Sequence, residues 1–390
     1  MKIALAHGGM GCGGSEVAVF WGVAALRGYH DLNLITGCPI ELDRLNRHCG
    51  TDISPADFHP LVAPQWPRKL IGHTDALRGA VFGRFLRSAA SQFDVCLSGY
   101  NIMDFGKPAI QFIADFSFDD ELRRSYDPAP PGLRGWGHRP GTFRRAYLGL
   151  ARMIAGHSGY DGRDDLIVAN SNWTADVLRL RRGMRIDRVI NPPVVADAPY
   201  VPWEQREGGF TILGRISHEK RIERVIDILA RVRAKGHDVH LHVIGPIDND
   251  AYGAMISRRI ADNAAWCFAE GRKAGAEKMQ VLASHRYAIH GRASEAFGIA
   301  VAEQVMAGCI PFVPDSGGPV EIVGHPDLCY RDVDDAVAKI DAVLRDKVQQ
   351  AALCESLTRQ GQLFSTDRFM RELRAVVEEF IERRGIRAKA

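Results

Sequence analysis

The sequence lacks the marks of several whole classes of protein. Its eight cysteines are Cys12, Cys38, Cys49, Cys96, Cys267, Cys309, Cys329 and Cys354; none forms a C-x-x-C pair, and no His/Cys cluster has zinc spacing. That excludes a disulfide scaffold and a zinc ribbon, and single scattered cysteines suit a reducing cytosol, where they act as small hydrophobes. No apolar run reaches the roughly 18 residues of a membrane-spanning helix. The opening MKIALAHGG has too short an apolar stretch for a signal peptide, so the expected location is cytoplasmic. In that setting the sequon at Asn172-Trp173-Thr174 is a chance match. Charge of one sign is also missing: 50 Lys and Arg face 47 Asp and Glu, a net +3, with none of the basic excess of a nucleic-acid binder.

What is present is ordinary globular material, 390 residues with 46% hydrophobic and 25% charged side chains, 39 Gly and 19 Pro. That length predicts two domains. Short β-branched apolar runs alternate with helix-period segments. Strands are predicted at 2–6, 31–36, 94–98, 109–113 and 165–169, then at 210–213, 238–244, 287–290 and 310–313. Continuous rather than alternating apolar runs are the pattern of strands buried on both faces, and their alternation with helices implies parallel βαβ units. Both halves open with a strand, a glycine-containing turn and a helix. Pro192, Pro193, Pro199 and Pro202, followed by polar residues, read as a linker. The expected division is therefore 1–198, a linker at 199–209, and 210–365, with a C-terminal helix from 366–390 packing back toward the first domain.

Three stretches carry chemistry. Gly9-x-Gly11-x-x-Gly14 follows a strand and opens a helix, as a dinucleotide site does. The second strand, however, ends Asn33-Leu34-Ile35-Thr36-Gly37 with no acid for the ribose, which argues against NAD. A glycine loop at a helix N-terminus can still receive a phosphate, or serve only as a tight turn. Gly214-Arg215-Ile216-Ser217-His218-Glu219-Lys220 sets two cations at the C-terminal edge of a strand, either clamping a phosphate or forming a solvated helix start. In Glu295-Ala296-Phe297-Gly298-Ile299, with Glu303 further on, a helix begins near Gly298. Its free amides make an anion site with a carboxylate on either side, suited to ribose and sugar hydroxyls.

Together these stretches resemble glycosyltransferase family 4, the retaining enzymes of GT-B fold. The resemblance rests on Gly13-Gly14-Ser15-Glu16, Gly214-Arg215 with Lys220, Glu295-x-Phe297-Gly298 with Glu303, and Ser316-Gly317-Gly318-Pro319, in the family's order along nearly the whole chain. Val168-Ala169-Asn170-Ser171, Asn191-Pro192-Pro193 and His290 add to it. It implies an α/β protein of two Rossmann-like parallel-sheet domains facing across a cleft, an acceptor-side domain first and a donor-binding domain second. The co-substrate would be a nucleoside-diphosphate sugar and the acceptor a saccharide or small molecule, with no metal and no other cofactor. The diphosphate would be held by Gly13, Gly14, Arg215, Lys220 and the amides of Phe297, Gly298 and Ile299. Glu303 would take the ribose and Glu295 the transferred sugar, with Arg215 and Lys220 stabilising the leaving charge. The family often has a histidine after the fourth strand of the first domain; here Asp115 stands there, either on a sugar or acceptor hydroxyl or as a helix N-cap. Two alternatives share the pattern, a sugar-nucleotide epimerase and a non-catalytic nucleotide-sugar binder.

Two weaker signals remain. Asp248-Asn249-Asp250 has the D-x-D form of a metal-dependent transferase but also the composition of a plain turn. Between 122 and 153, seven arginines face one acid, Asp127, with Tyr126, Trp136, Phe143 and Tyr147 interleaved; Trp66-Pro67-Arg68-Lys69 is a smaller version. That surface suits anionic headgroups at a membrane face, a phosphorylated acceptor, or plain solvent. Asp119, Arg144 and Arg145 are the acceptor-side residues expected from it.

Overall fold

In the computed structural model, the described residues are all but 12, 65–74, 127–140, 157–158 and 387–390. Cys12, Trp66-Pro67-Arg68-Lys69, Asp127 and Trp136 therefore lie outside them. The chain divides into two compact units. The first is Met1–Asn170, Ala175–Pro193 and Thr366–Ala390; the second is Ser171–Thr174 and Val194–Ser365.

The first unit is built on β1 (Lys2–His7), β2 (Asp31–Thr36), β3 (His59–Val62), β4 (Val95–Ser98), β5 (Ile110–Ile113), β6 (Leu166–Ala169) and β7 (Arg188–Val189). All pair in parallel, in the order β3-β2-β1-β4-β5-β6-β7. Its helices are α1 (Gly14–Leu26), α2 (Leu42–Cys49), α3 (Asp75–Ala90), α4 (Asp120–Tyr126), α5 (Thr142–Ala155) and, from Ala175 onward, α6 (Asn172–Arg182). The second unit runs β8 (Glu207–Leu213), α7 (Ile222–Ala234), β9 (Leu241–Ile244), α8 (Ala251–Asp262), β10 (Cys267–Gly271), α9 (Gly275–Ala283), β11 (His285–Ile289), α10 (Ile299–Met306), β12 (Ile310–Pro314), α11 (Pro319–Val323), β13 (Cys329–Tyr330), α12 (Val333–Arg345) and α13 (Lys347–Gly361). Its parallel strands lie in the order β10-β9-β8-β11-β12-β13. The apolar inner strands explain the layering. Ile3, Val95, Leu97 and Ile110 in one sheet, and Phe210, Leu241, Ile289 and Phe312 in the other, are fully buried, so helices must cover both faces.

The last helix, α14 (Thr366–Arg383), completes the first unit. Its Phe369, Leu373, Val376, Val377 and Phe380 enter the same core as Val19, Phe20 and Val23 of α1. The proline-rich stretch differs from the expected linker. Val194 is buried in the second core and donates to Phe364 O, and Arg206 bonds Ala307 O, so this segment is fastened to the second unit. Glu207 and Gly209, expected to lie in the linker, open β8.

In each sheet the strand order reverses direction between the first strand and its fourth-in-sequence neighbour, β1 against β4 and β8 against β11. Loops leaving the C-terminal ends of those strands diverge there, and open α/β sheets bind ligands in the crevice so formed.

Candidate active site

On either side of the switch point of the second sheet the loops cross at very short range. Gly245, with φ +151°, leaves the end of β9 so close to the end of β8 that an added Cβ would stand 1.9 Å from Gly214 O. The loop before α10 is locked to the loop after β12: Glu295 and Gly317 form a parallel bridge, and Gly318 N donates to Glu295 O at 2.9 Å. A Cβ on Gly318 would meet Ala296 O and Phe297 O at 2.6 Å. The two glycines therefore fix where Glu295 stands. Phe297 is buried and packs edge-on against Phe364, so its contribution to the site surface is its backbone. Gly298, at φ +103°, turns the chain into α10, whose first amides have no partner within the helix.

Glu295 is the centre of this arrangement. Its carboxylate accepts from Lys220 Nζ at 3.0 and 3.3 Å and lies 2.8 Å from Nε2 of the buried His290. The side chains of Lys220 and Glu295 are only 14% and 18% exposed. Burial pushes the carboxyl up, but Lys220, His290 and Arg292 outweigh it and hold Glu295 well below the usual glutamate range. For His290 burial dominates and lowers its pKa, although Glu295 pulls the other way. Lys220 and Glu295, expected on the diphosphate and the sugar respectively, thus bond each other. Arg215 is exposed, 3.8 Å from Glu219. Glu303 lies on α10 and accepts from Lys278 Nζ at 2.6 Å. His290 was noted in the sequence; Arg292 and Lys278 were missed, and for Lys278 there was no signal, since it lies 25 residues before its partner on another helix.

The depressed Glu295 pKa fixes a sign. A carboxyl whose folded pKa lies below its unfolded value stabilises the fold above that unfolded value, about 4.3, and loses the contribution as pH falls through the folded pKa. Glu295→Gln is expected to destabilise the second unit by about 3 kcal/mol at pH 7. The gap should narrow as the wild-type carboxylate protonates well below pH 4, which urea titrations of both proteins across that range would measure.

The first unit's switch point is also polar, with different occupants. The Gly11 and Gly13 amides donate to the Glu16 carboxylate at 2.8 and 3.2 Å, and Ser15 Oγ adds a third bond at 2.9 Å. The chain's own carboxylate therefore sits where an anion was expected beside Gly13 and Gly14. His7, at the end of β1, is buried beside Tyr100, with ring centroids 5.6 Å apart; burial lowers its pKa although Glu16 pulls the other way.

Asp115 accepts from Tyr100 Oη at 2.5 Å, Asn101 Nδ2 at 2.7 Å and Ser117 N at 2.8 Å. Asn101 holds a left-handed φ of +59° and also accepts from the Ala114 and Asp115 amides. The helix-cap alternative falls to another residue: Asp119 Oδ1 caps α4 through the amides of Glu121 and Leu122, and Arg182 clamps the same carboxylate with two bonds of 2.6 Å. Asp250 likewise caps α8 by accepting from Gly253 N, which accounts for part of the D-x-D stretch.

Arg144 and Arg145 separate. Arg144, its side chain 7% exposed, forks onto Asp120 at 3.0 and 3.2 Å, while Arg145 is exposed. Arg144→Glu should cost about 3–5 kcal/mol by burying two like charges. Arg145→Glu should stay within about 0.5 kcal/mol. Melting curves of the two single variants check the contrast. Among the described residues no helix is long and apolar enough to cross a membrane.

Residues 202–363 match the family model for glycosyl transferases group 1, a span that holds Arg215, Lys220, Glu295 and Glu303. No curated protein matches the chain in sequence. Solved structures resemble it along nearly its full length. HepE of Anabaena, solved with UDP and glucose, has a TM-score of 0.67 at 14% identity, covering 97% of this chain and 100% of that one. Sucrose-phosphate synthase from Thermosynechococcus elongatus gives 0.68 at 13% identity, covering 98% and 99%. The pneumococcal O-GlcNAc transferase GtfA, solved with UDP and GlcNAc, gives 0.63 at 10% identity, also covering 98% and 99%. At such identities the likeness is one of fold: the chain has the two parallel-sheet α/β units of GT-B glycosyltransferases.

Proposed function

We propose that this protein is a glycosyltransferase. It moves a hexose-type sugar from a nucleoside-diphosphate sugar to a saccharide, lipid-linked or small-molecule acceptor, with retention of anomeric configuration. The observation that carries this reading is the Lys220–Glu295–His290 cluster beside the open first turn of α10. A cation there, together with free amides, suits a diphosphate, and an ionised carboxylate suits sugar hydroxyls. Uridine diphosphate is the first candidate because HepE and GtfA were both solved with UDP.

In this reading the bond from the anomeric carbon to the diphosphate oxygen breaks, and the acceptor oxygen bonds the same face of the sugar. The acceptor proton passes to the departing phosphate. Lys220 has a third N–H beyond the two given to Glu295, and with Arg215 it stabilises the charge on the leaving group. Glu303, oriented by Lys278, accepts from the ribose. Asp115, already fixed by three donors, has acceptor capacity left for a hydroxyl. No metal is assigned to this step.

The test is to incubate the full chain with UDP-glucose, UDP-N-acetylglucosamine or GDP-mannose and a panel of acceptors, following the anomeric signals by NMR. Nucleotide release with a product of the donor's anomeric configuration is the expected result. Interconversion of the donor sugar without nucleotide release would make the protein an epimerase, and an inverted product would remove the retaining mechanism.

A further inference from the structure

The second unit carries a cluster that its transfer site does not use. Glu207, His240, His242 and His285 each offer one ligand atom, and these atoms lie within 4.8 Å of one another. The cluster stands toward the N-terminal ends of the strands, whereas Lys220 and Glu295 sit on the loops at their C-terminal ends. Four neighbouring strands contribute: β8 gives Glu207, β9 gives His242 with His240 just before it, β11 gives His285, and β10 gives Glu270 behind them.

Its construction depends on a missing side chain. The strands β9 and β11 flank β8, so their backbones are about 10 Å apart. Yet the rings of His242 and His285 approach to 4.4 Å between centroids, and His240 lies 5.1 and 5.4 Å from them. His240 leans over Gly209 of β8, where a Cβ would stand 2.1 Å from His240 Nε2.

The outer nitrogens are oriented as metal-binding histidines usually are. His285, its side chain 3% exposed, gives Nδ1 to Val281 O at 2.7 Å, so its Nε2 carries a lone pair into the cluster. That buried Nε2 and the Nε2 of His240 have no hydrogen-bond partner. His242 Nδ1 is held by Glu270 at 2.7 Å, and Lys273 backs that carboxylate at 3.5 Å. Glu207 Oε2 stands 3.3 Å from His240 Nε2 and 3.9 Å from His285 Nε2. A tetrahedral zinc ion with bonds of about 2.1 Å needs ligand atoms about 3.4 Å apart, which small side-chain rotations supply. A cavity of about 720 Å³ lined by Glu207, His240, His242 and Glu270 opens on the cluster and gives an ion its entry.

We propose that Glu207, His240, His242 and His285 form a binding site for a zinc-class transition-metal ion that ties three strands of the second sheet together. Three imidazoles and one carboxylate select zinc and its neighbours over magnesium or calcium, which prefer all-oxygen sites. The ion's role is structural, because the site lies away from the loops that hold the proposed donor.

The experiment uses the tag-free full chain, stripped with EDTA and titrated with zinc chloride, with magnesium chloride as control. One zinc per chain, a melting temperature raised by about 5 °C or more at a hundredfold excess over Kd, and no response to magnesium are expected. Cobalt should give the intense visible bands of a tetrahedral site. His285→Gln could unfold the sheet, so the partly exposed His242→Gln and Glu207→Gln are the deciding variants. Each should lose at least tenfold in zinc affinity while keeping nucleoside-diphosphate binding, which separates this site from the proposed donor site. Stoichiometry below one zinc in ten chains, or zinc affinity unchanged in both variants, would overturn the proposal.

Discussion

Lys220→Ala is expected to lower kcat/KM for the nucleotide-sugar donor about a thousandfold. Two effects combine. The variant loses the ammonium that faces the departing diphosphate, and removing one such group in other enzymes costs 10²–10³ in rate. It also leaves Glu295 with the His290 contact and the Arg292 charge alone of the three that hold it, so the carboxylate that would hold the sugar is less well fixed. Lys220→Arg keeps the charge but spreads it over a planar fork, and should recover only part of the rate. Steady-state kinetics of both variants, with melting curves to measure the folded fraction, check this. A loss no larger than the loss of folded protein would mean that Lys220 is a structural partner of Glu295 and nothing more.

Gly245→Ala should be among the most destabilising single methyls in the second unit, at about 3–5 kcal/mol. Its Cβ would stand 1.9 Å from Gly214 O, a backbone atom that cannot rotate away, and φ of +151° is itself unfavourable for alanine. Because the strain falls on the turn that carries Arg215, donor binding should weaken with stability. A fall of about 10 °C or more in melting temperature is expected for a unit of this size. Gly208→Ala, where an added Cβ meets nothing within 4 Å, is the control and should change little.

The parts of the fold that the sequence revealed are the buried ones. The central strands β1, β2, β4, β5 and β6, and β8, β9, β11 and β12, all follow apolar runs that were read as strands. The ones missed, β3, β7, β10 and β13, are the four edges of the two sheets. An edge strand pairs on one side only and need not be apolar. His59 and Pro60 of β3 are exposed, β10 is half exposed, and β7 and β13 are two residues each, too short to show a period.

The site divides in the same way. Gly214, Gly298 and Gly317-Gly318 were legible because close backbone crossing demands glycine, and Lys220 and Glu295 because they stand at short fixed spacing from those glycines. Their partners were not. Lys278 reaches Glu303, Arg182 reaches Asp119 and Asn101 reaches Asp115 across 25, 63 and 14 residues, and side-chain contacts over such separations leave no local pattern. Which aspartate caps α4 was not legible either, because a cap pattern alone does not separate Asp119 from its neighbours. The histidine cluster was invisible for the same reason: its ligands are 33, 2 and 43 residues apart, and no zinc motif has those intervals.

Calorimetric titration of the full chain with UDP, GDP, ADP, dTDP and NAD decides whether the Lys220–Glu295 cluster serves a nucleoside diphosphate. One nucleoside diphosphate is expected to bind at a single site, and Lys220→Ala to weaken it at least tenfold. Binding of NAD alone, or a nucleoside diphosphate that binds the Lys220→Ala variant as tightly as the wild type, would contradict that role.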